Sequence, residues 1–208
     1  VVTPSDHFVA DVDEFRRVIA AALDFTGNEK RIVTIGIKPS RPETGYGYIE
    51  EGELAEGEVY KVDSFREKPC LEVAERYLAD GGYLWNAGIF VWNIDTIMSS
   101  LHTYVPGLAA LMDEMAESFY TDDEVETVGR LFPACEKISI DYAVMEKADF
   151  IYTIPADFGW SDLGTWGSLR TLMDRNEEGN AVVGKDVRLY DCHNCIVHVP
   201  DLKRVVIQ

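Results

Sequence analysis

The chain has 208 residues, 19 of them Lys or Arg against 37 Asp or Glu, for a formal net charge of −18 at pH 7. That balance argues against a nucleic-acid surface, which needs clustered basic residues, but it is compatible with a small phosphorylated ligand met by one or two cations and a metal ion. With 47% hydrophobic and 27% charged residues the chain suits one domain, or one domain with a small appendage, and no apolar run approaches the roughly 20 residues of a membrane span.

In chain order, Val1 and Val2 read as the end of a strand running into Thr3-Pro4-Ser5-Asp6-His7. Asp11 then looks like an N-cap, with Glu14 in capping-box position. Phe15, Val18, Ile19, Ala22 and Leu23 follow at helical spacing, and Gly27 stops the helix. Arg31 to Ile37 reads as a buried strand, broken into a loop by Pro39, Pro42 and Gly45. Val59 to Phe65 alternates as a strand, Leu71 to Leu78 reads as a helix ended by Gly81-Gly82, and Leu84 to Trp92 is an apolar strand. The pattern from Ile94 to about Ala148 is helical, Phe150 to Ile154 is a short strand, and Leu163 to Met173 a further helix.

Beyond Asn176 the texture changes. Short apolar segments at Ala181 to Val183, Val187 to Tyr190, Cys195 to Val199 and Val205 to Ile207 recur with no helix between them. They suggest the first rungs of a β-helix or a small sandwich. The expected division is therefore an α/β core over 1–176 and a β-only region over 177–208. Cys192 and Cys195 form a C-x-x-C without the partner motif that a zinc ribbon requires, so it reads as incidental. The N-terminus lacks the basic and apolar regions of a secretory signal. The expectation is a cytoplasmic protein with reduced thiols.

Several segments carry more chemistry than packing needs. Asp6 stands beyond a strand end, where open α/β sheets bind ligands, and is a candidate metal ligand; the plainer reading is a turn-closing or capping acid. Gly45 and Gly47 in Thr44-Gly45-Tyr46-Gly47-Tyr48-Ile49 permit close approach of a ligand, or simply a tight turn. In Phe65-Arg66-Glu67-Lys68-Pro69 a carboxylate suited to sugar hydroxyls adjoins an ammonium suited to phosphate, although a solvated strand end would look the same. Asn86 is a lone amide in an apolar strand, and its burial demands partners. Asp162, in Gly159-Trp160-Ser161-Asp162-Leu163-Gly164-Thr165-Trp166, is either an N-cap or a second metal ligand.

The ordered series PSDH, TGYGYI, FREKP, WNAGIF, SIDYAVMEK (Ser139 to Lys147) and GWSDLGTW resembles the mannose-1-phosphate guanylyltransferases of the sugar nucleotidylyltransferase family. The resemblance runs through the whole chain and is most specific at SIDYAVMEK and GWSDLGTW. It implies a Rossmann-like mixed-sheet nucleotidyltransferase core, here its C-terminal part, followed by the start of a β-helical region. It implies transfer of GMP from GTP to mannose 1-phosphate with Mg²⁺; a homodimer is one assembly left open, since the sequence does not give the oligomeric state. By the same resemblance Asp6 and Asp162 would hold the metal. Gly47, Glu67 and Asn86 would contact the mannose, and Lys68 its phosphate; Asp6, Lys68 and Asp162 would be the catalytic set.

The family's glycine-rich GGxGxR nucleotide-binding segment does not occur here. The chain is therefore expected to be a piece that is inactive alone. Two other readings remain open at this stage: another sugar-1-phosphate nucleotidylyltransferase using UTP or dTTP, and a non-catalytic sugar-nucleotide-binding regulatory subunit.

Overall fold

A computed structural model describes residues 1–208. The chain divides into two compact units, the first comprising Val1–Ser5 and Val9–Trp160, the second Asp6–Phe8 and Ser161–Gln208. No helix is long and apolar enough to cross a membrane.

The first unit is built around a mixed sheet. Its strands are β2 (Ile32–Ile37), β3 (Tyr48–Glu56), β4 (Val59–Arg66), β5 (Tyr83–Trp92) and β6 (Ile151–Ala156); β1 (Phe8–Val9) pairs separately with β7 (Trp160–Ser161). The order β2-β5-β3-β4-β6 closes on itself through a parallel β2–β6 pairing, and the other joins are antiparallel. The mixed α/β core expected from the sequence is thus present.

Strand β2 has almost no exposed residue because both faces of the sheet are covered, which is why IVTIGI is apolar without alternation. One face packs on α1 (Val12–Thr26), whose Val18, Ala22 and Phe25 meet Val33, Ile35, Ile89, Val91 and Phe158. Burying Val18 and Phe25 is worth roughly 1.5–3 kcal/mol each. The opposite face carries Ile32, Ile49, Phe65, Leu84 and Phe90 against Val105, Val144 and Met145. That second layer comes from α3 (Ile94–Tyr104), α4 (Pro106–Ala116) and a π-helical turn, Asp141–Met145, with α5 (Glu124–Leu131) packed on α4. The intervening helix α2 (Leu71–Asp80) ends at Gly81, whose φ is 72°.

One local expectation needs amendment, and one strand was not expected. Asp11 caps α1 by accepting from the N–H groups of Asp13 and Glu14, but only half of a capping box forms. The Asp11 N–H donates to Phe158 O instead, while the Glu14 carboxylate accepts from Arg17. The loop expected around Pro39, Pro42 and Gly45 is present, and beyond it runs an unexpected nine-residue strand, β3, within which Glu50, Glu51, Glu53 and Glu56 disguise the strand pattern. Its first residues, Tyr48 and Ile49, are buried, while its far half is exposed. A strand that leaves the core midway loses the apolar alternation by which strands are recognised.

In the second unit, α6 (Trp166–Leu172) begins three residues later than expected, with Thr165 as its N-cap accepting from Ser168 N–H. The strands β8 (Ala181–Val183), β9 (Asp186–Leu189), β10 (Ile196–His198) and β11 (Arg204–Ile207) pair as β8–β10 and β9–β11, both parallel. Parallel pairing between strands with no helix connecting them is the geometry of stacked rungs. Asn180 is 2% exposed and ties this unit together. Its side chain donates to Cys192 O (2.7 Å) and accepts from Cys195 N–H (2.9 Å). The Cys192 and Cys195 thiols are free, and each donates to a backbone carbonyl.

Candidate functional site

The polar cleft of the first unit is set by a distortion of the sheet. The β2–β5 register pairs Thr34 with Phe90 and Gly36 with Asn86, so β5 carries extra residues between the two pairs. Gly88 sits within this bulge at a φ of 70°, a conformation open to glycine at little cost. Its N–H thereby donates to Asn86 Oδ1 (3.0 Å). Thr34, fully buried on β2, donates its hydroxyl to the same oxygen at 2.8 Å. On its other side the amide donates from Nδ2 to Asp141 Oδ1 (3.1 Å). Asn86 is only 9% exposed, and these partners answer the demand that its burial creates.

Gly47 faces Asn86 across the β3–β5 junction, where Asn86 N–H donates to Gly47 O (2.8 Å). A Cβ at position 47 would stand 2.6 Å from Glu67 Oε2 and 3.3 Å from Asn86 Cβ. Only glycine leaves that room. The Glu67 side chain is 8% exposed, and its Oε1 lies 3.1 Å from the ammonium of Lys68, which is 59% exposed. Lys68 has a φ of 45°, and the turn it makes is held from behind by Glu146, whose Oε1 accepts from Glu67 N–H (3.0 Å). Beside Gly47, Tyr46 stands edge-on to both Trp85 and Trp160, with ring centroids 5.2 and 5.3 Å apart.

Gly47, Glu67, Lys68 and Asn86 are therefore brought together, whereas Asp141, Glu146 and Thr34 were not singled out as chemistry in the sequence. The signal for the first two was present in SIDYAVMEK. Acids five residues apart point in different directions on an α-helix of 3.6 residues per turn. On a π turn the i→i+5 hydrogen bond stacks residue i+5 over residue i. Glu146 N–H donates to Asp141 O (2.9 Å), so the turn delivers one carboxylate to Asn86 and the other to the Glu67 backbone.

The carboxyls of Glu67 and Asp141 and the ammonium of Lys68 perturb one another in a half-buried setting. Burial pushes the Glu67 carboxyl up, and the nearby Asp141 adds to the effect; Lys68 opposes it. Burial likewise pushes Asp141 up against the restraint of its own backbone N–H, Ser139, Lys68 and Asn86. The Lys68 ammonium is held charged by its hydrogen bond to Glu67. A cavity of about 370 Å³ opens on the Lys68 side of this group, lined by Glu67, Lys68, Tyr142 and Glu146 with Arg66, Pro69, Cys70 and Val73 but not by Gly47 or Asn86; its size is within the range of small-molecule sites. A larger cavity of about 740 Å³ among α3, α4 and α5 is almost wholly apolar and has none of this chemistry.

Asp6 and Asp162 both belong to the second unit, Asp6 exposed and Asp162 half-buried. A Cβ at Gly164 would stand 2.5 Å from Asp162 Oδ2, so the glycine keeps space at that carboxylate. No group of three or more His, Cys, Asp or Glu side chains is gathered as a metal centre. Mg²⁺ does not need one, since it is commonly held by one or two carboxylates, water and substrate phosphates. The donor chemistry of this pair fits that ion.

A mixed α/β core with buried acceptors, one amide and one exposed ammonium is suited to a hydroxyl-rich molecule bearing a phosphate. Residues 1–179 match the Nucleotidyl transferase family model. The chain is 35% identical over 205 residues to the mannose-1-phosphate guanylyltransferase of Escherichia coli, covering 95% of this chain and 43% of that protein. It is 36% identical over 202 residues to the alginate biosynthesis protein AlgA of Pseudomonas aeruginosa, covering 95% and 41%. Among solved structures, one from Thermus thermophilus, described as a mannose-1-phosphate geranyltransferase, superposes with a TM-score of 0.83 at 32% identity, covering all of this chain and 58% of that one. The chain belongs to the nucleotidyl transferase family. It spans less than half the length of the curated relatives it matches.

Proposed function

We propose that the whole protein of which this chain is part transfers GMP from GTP to mannose 1-phosphate, giving GDP-mannose and pyrophosphate. The observation that carries this reading is the cleft of Gly47, Glu67, Asn86 and Lys68. A sugar hydroxyl is both donor and acceptor, so it can donate to Glu67 while accepting from Asn86. A compact ammonium beside it suits the sugar's phosphate. The names of the relatives supply the mannose and the guanine, which these residues do not by themselves specify.

In the reaction a phosphate oxygen of mannose 1-phosphate attacks the α-phosphorus of GTP in line. The new P–O bond forms as the bond from the α-phosphorus to its bridging oxygen breaks, and the electron pair leaves with pyrophosphate. Glu67 and Asn86 orient the sugar, and Lys68 lowers the charge repulsion at its phosphate. A Mg²⁺ ion held by Asp6 and Asp162 would neutralise charge on the nucleotide phosphates. The test is pyrophosphate release by the whole protein with GTP, UTP or dTTP and a panel of hexose 1-phosphates. Turnover of GTP with mannose 1-phosphate at least about tenfold faster than any other pair is expected. Preference for UTP or dTTP, or no turnover at all, overturns the assignment. Asp162→Ala is expected to abolish turnover while the fold survives; near-normal kcat at saturating Mg²⁺ would remove Asp162 from the metal site.

A further inference from the structure

Asn86 is fixed from three directions, and only one of its three side-chain partners carries charge. The backbone N–H of Gly88 can only donate, so the atom it meets must be the amide oxygen; this settles which way the amide points. Thr34 donates to the same oxygen, which leaves that atom committed to the protein. The nitrogen faces Asp141, which as a carboxylate can only accept. One Nδ2 hydrogen is thereby used, and the other remains for a ligand. Were the amide turned over, its oxygen would face the Asp141 carboxylate and its nitrogen would face two donors. Both contacts would be repulsive.

Asp141 does this from an unusual position. It opens the π-helical turn Asp141–Met145, and such turns concentrate at functional sites. Its own hydrogen bond to Ser139, together with the i→i+5 bond from Glu146 N–H, holds the carboxylate in place. Glu67, Lys68, Tyr142 and Glu146 are the charged and titratable groups around it. Withdrawing a carboxylate even partly from water costs free energy that its hydrogen bonds must offset, so its place here calls for a task.

We propose that Asp141 is a positioning residue for sugar recognition: it locks the Asn86 amide in the one orientation that offers an N–H, and not a carbonyl oxygen, to a hydroxyl of the hexose phosphate. The proposal rests on the reading of the cleft as a hexose-phosphate site. It adds that the site selects a hydroxyl able to accept from Asn86 while donating to Glu67. A deoxy sugar lacking that hydroxyl would leave both groups unanswered and be rejected.

The test is a double-mutant cycle in the whole protein, with steady-state kinetics at varied mannose 1-phosphate and saturating GTP. Asp141→Ala is expected to raise KM for the sugar phosphate about 10- to 100-fold, with KM for GTP changed by less than about threefold. Asp141→Asn should recover most of that loss, because its amide oxygen can still accept from Asn86. Combining Asp141→Ala with Asn86→Ala should cost no more than Asn86→Ala alone. If the two losses multiply, or if Asp141→Asn is as damaged as Asp141→Ala, the positioning role is wrong. Should Asp141→Ala fail to fold, Thr34→Val removes a donor from the opposite end of the same amide and is expected to give the same selective rise in KM; an unchanged KM there also overturns the proposal. If the wild type prefers a different hexose 1-phosphate, the functional reading fails, and the same cycle on that substrate still decides the role of Asp141.

Discussion

Two asparagines are buried in this protein, and they are buried in different ways. Asn180 meets backbone: the carbonyl of Cys192 and the N–H of Cys195, both fixed once the rungs of the second unit form. Asn86 meets a backbone N–H as well, but its other partners are the side chains of Thr34 and Asp141. The first arrangement satisfies an amide so that a fold can close over it. The second spends buried polar groups, one of them a carboxylate displaced from its ordinary ionisation, to hold an amide at a cleft. A buried amide answered by backbone marks architecture, and one answered by titratable side chains marks a site.

Substitutions can break that distinction. The largest effect is expected at Lys68, whose ammonium projects beside Glu67 at the cleft. Lys68→Ala should lower kcat/KM by about 10²–10³-fold with little change in melting temperature, and a loss below about threefold in steady-state assays would detach the cleft from catalysis. Next comes Asn180→Ala, which should destabilise the second unit by about 1–2 kcal/mol, seen as a lower denaturation midpoint, because a part-buried N–H and a part-buried C=O lose their partners. If that change instead raised KM for the sugar phosphate at an unchanged midpoint, the two asparagines would not differ as described.

The smallest effect sharpens the electrostatic side. Burial raises the carboxyls of Glu67 and Asp141 above their unfolded values, so the folded state holds protons more tightly. Their contribution to stability is fully present below the unfolded carboxylate range and is lost as pH rises through the folded pKa. Denaturation midpoints measured between about pH 4 and 7 should carry this falling component in the wild type. Glu67→Gln should reduce it and leave the protein slightly more stable at neutral pH, at the expense of sugar binding. A steeper fall in Glu67→Gln would reverse the sign assigned to this group.

Much of the cleft was legible because its residues are anomalous where they stand. Asn86 interrupts an apolar strand, and Glu67-Lys68 ends an alternating one. The partners that fix them were not legible. Asp141 and Glu146 sit in a long helical-looking stretch, and their convergence depends on a π turn that no α-periodicity reveals. Thr34 reads as an ordinary strand residue, since β-branched side chains are common there. Strand β3 was missed for a related reason: four glutamates in nine residues suit its exposed half and hide the buried half. The rungs of the second unit were visible from their spacing, while their parallel pairing came only with the structure.

The ring of five strands has one thin join. Strands β4 and β6 meet through only Tyr60 with Thr153 and Lys61 with Tyr152, fewer than at any other join in the ring. A closed ring has no free edge from which to fray, so breathing has to begin at its weakest seam. Strand β4 runs directly into Glu67 and Lys68. The seam lies at the start of β4, however, while its far end is paired with β3 through Arg66 with Tyr48 and Phe65 with Ile49, and Glu67 N–H is held by Glu146. The hinge-like weakness and the cleft thus sit at opposite ends of one strand, and the ring can give at the first while the second keeps its shape.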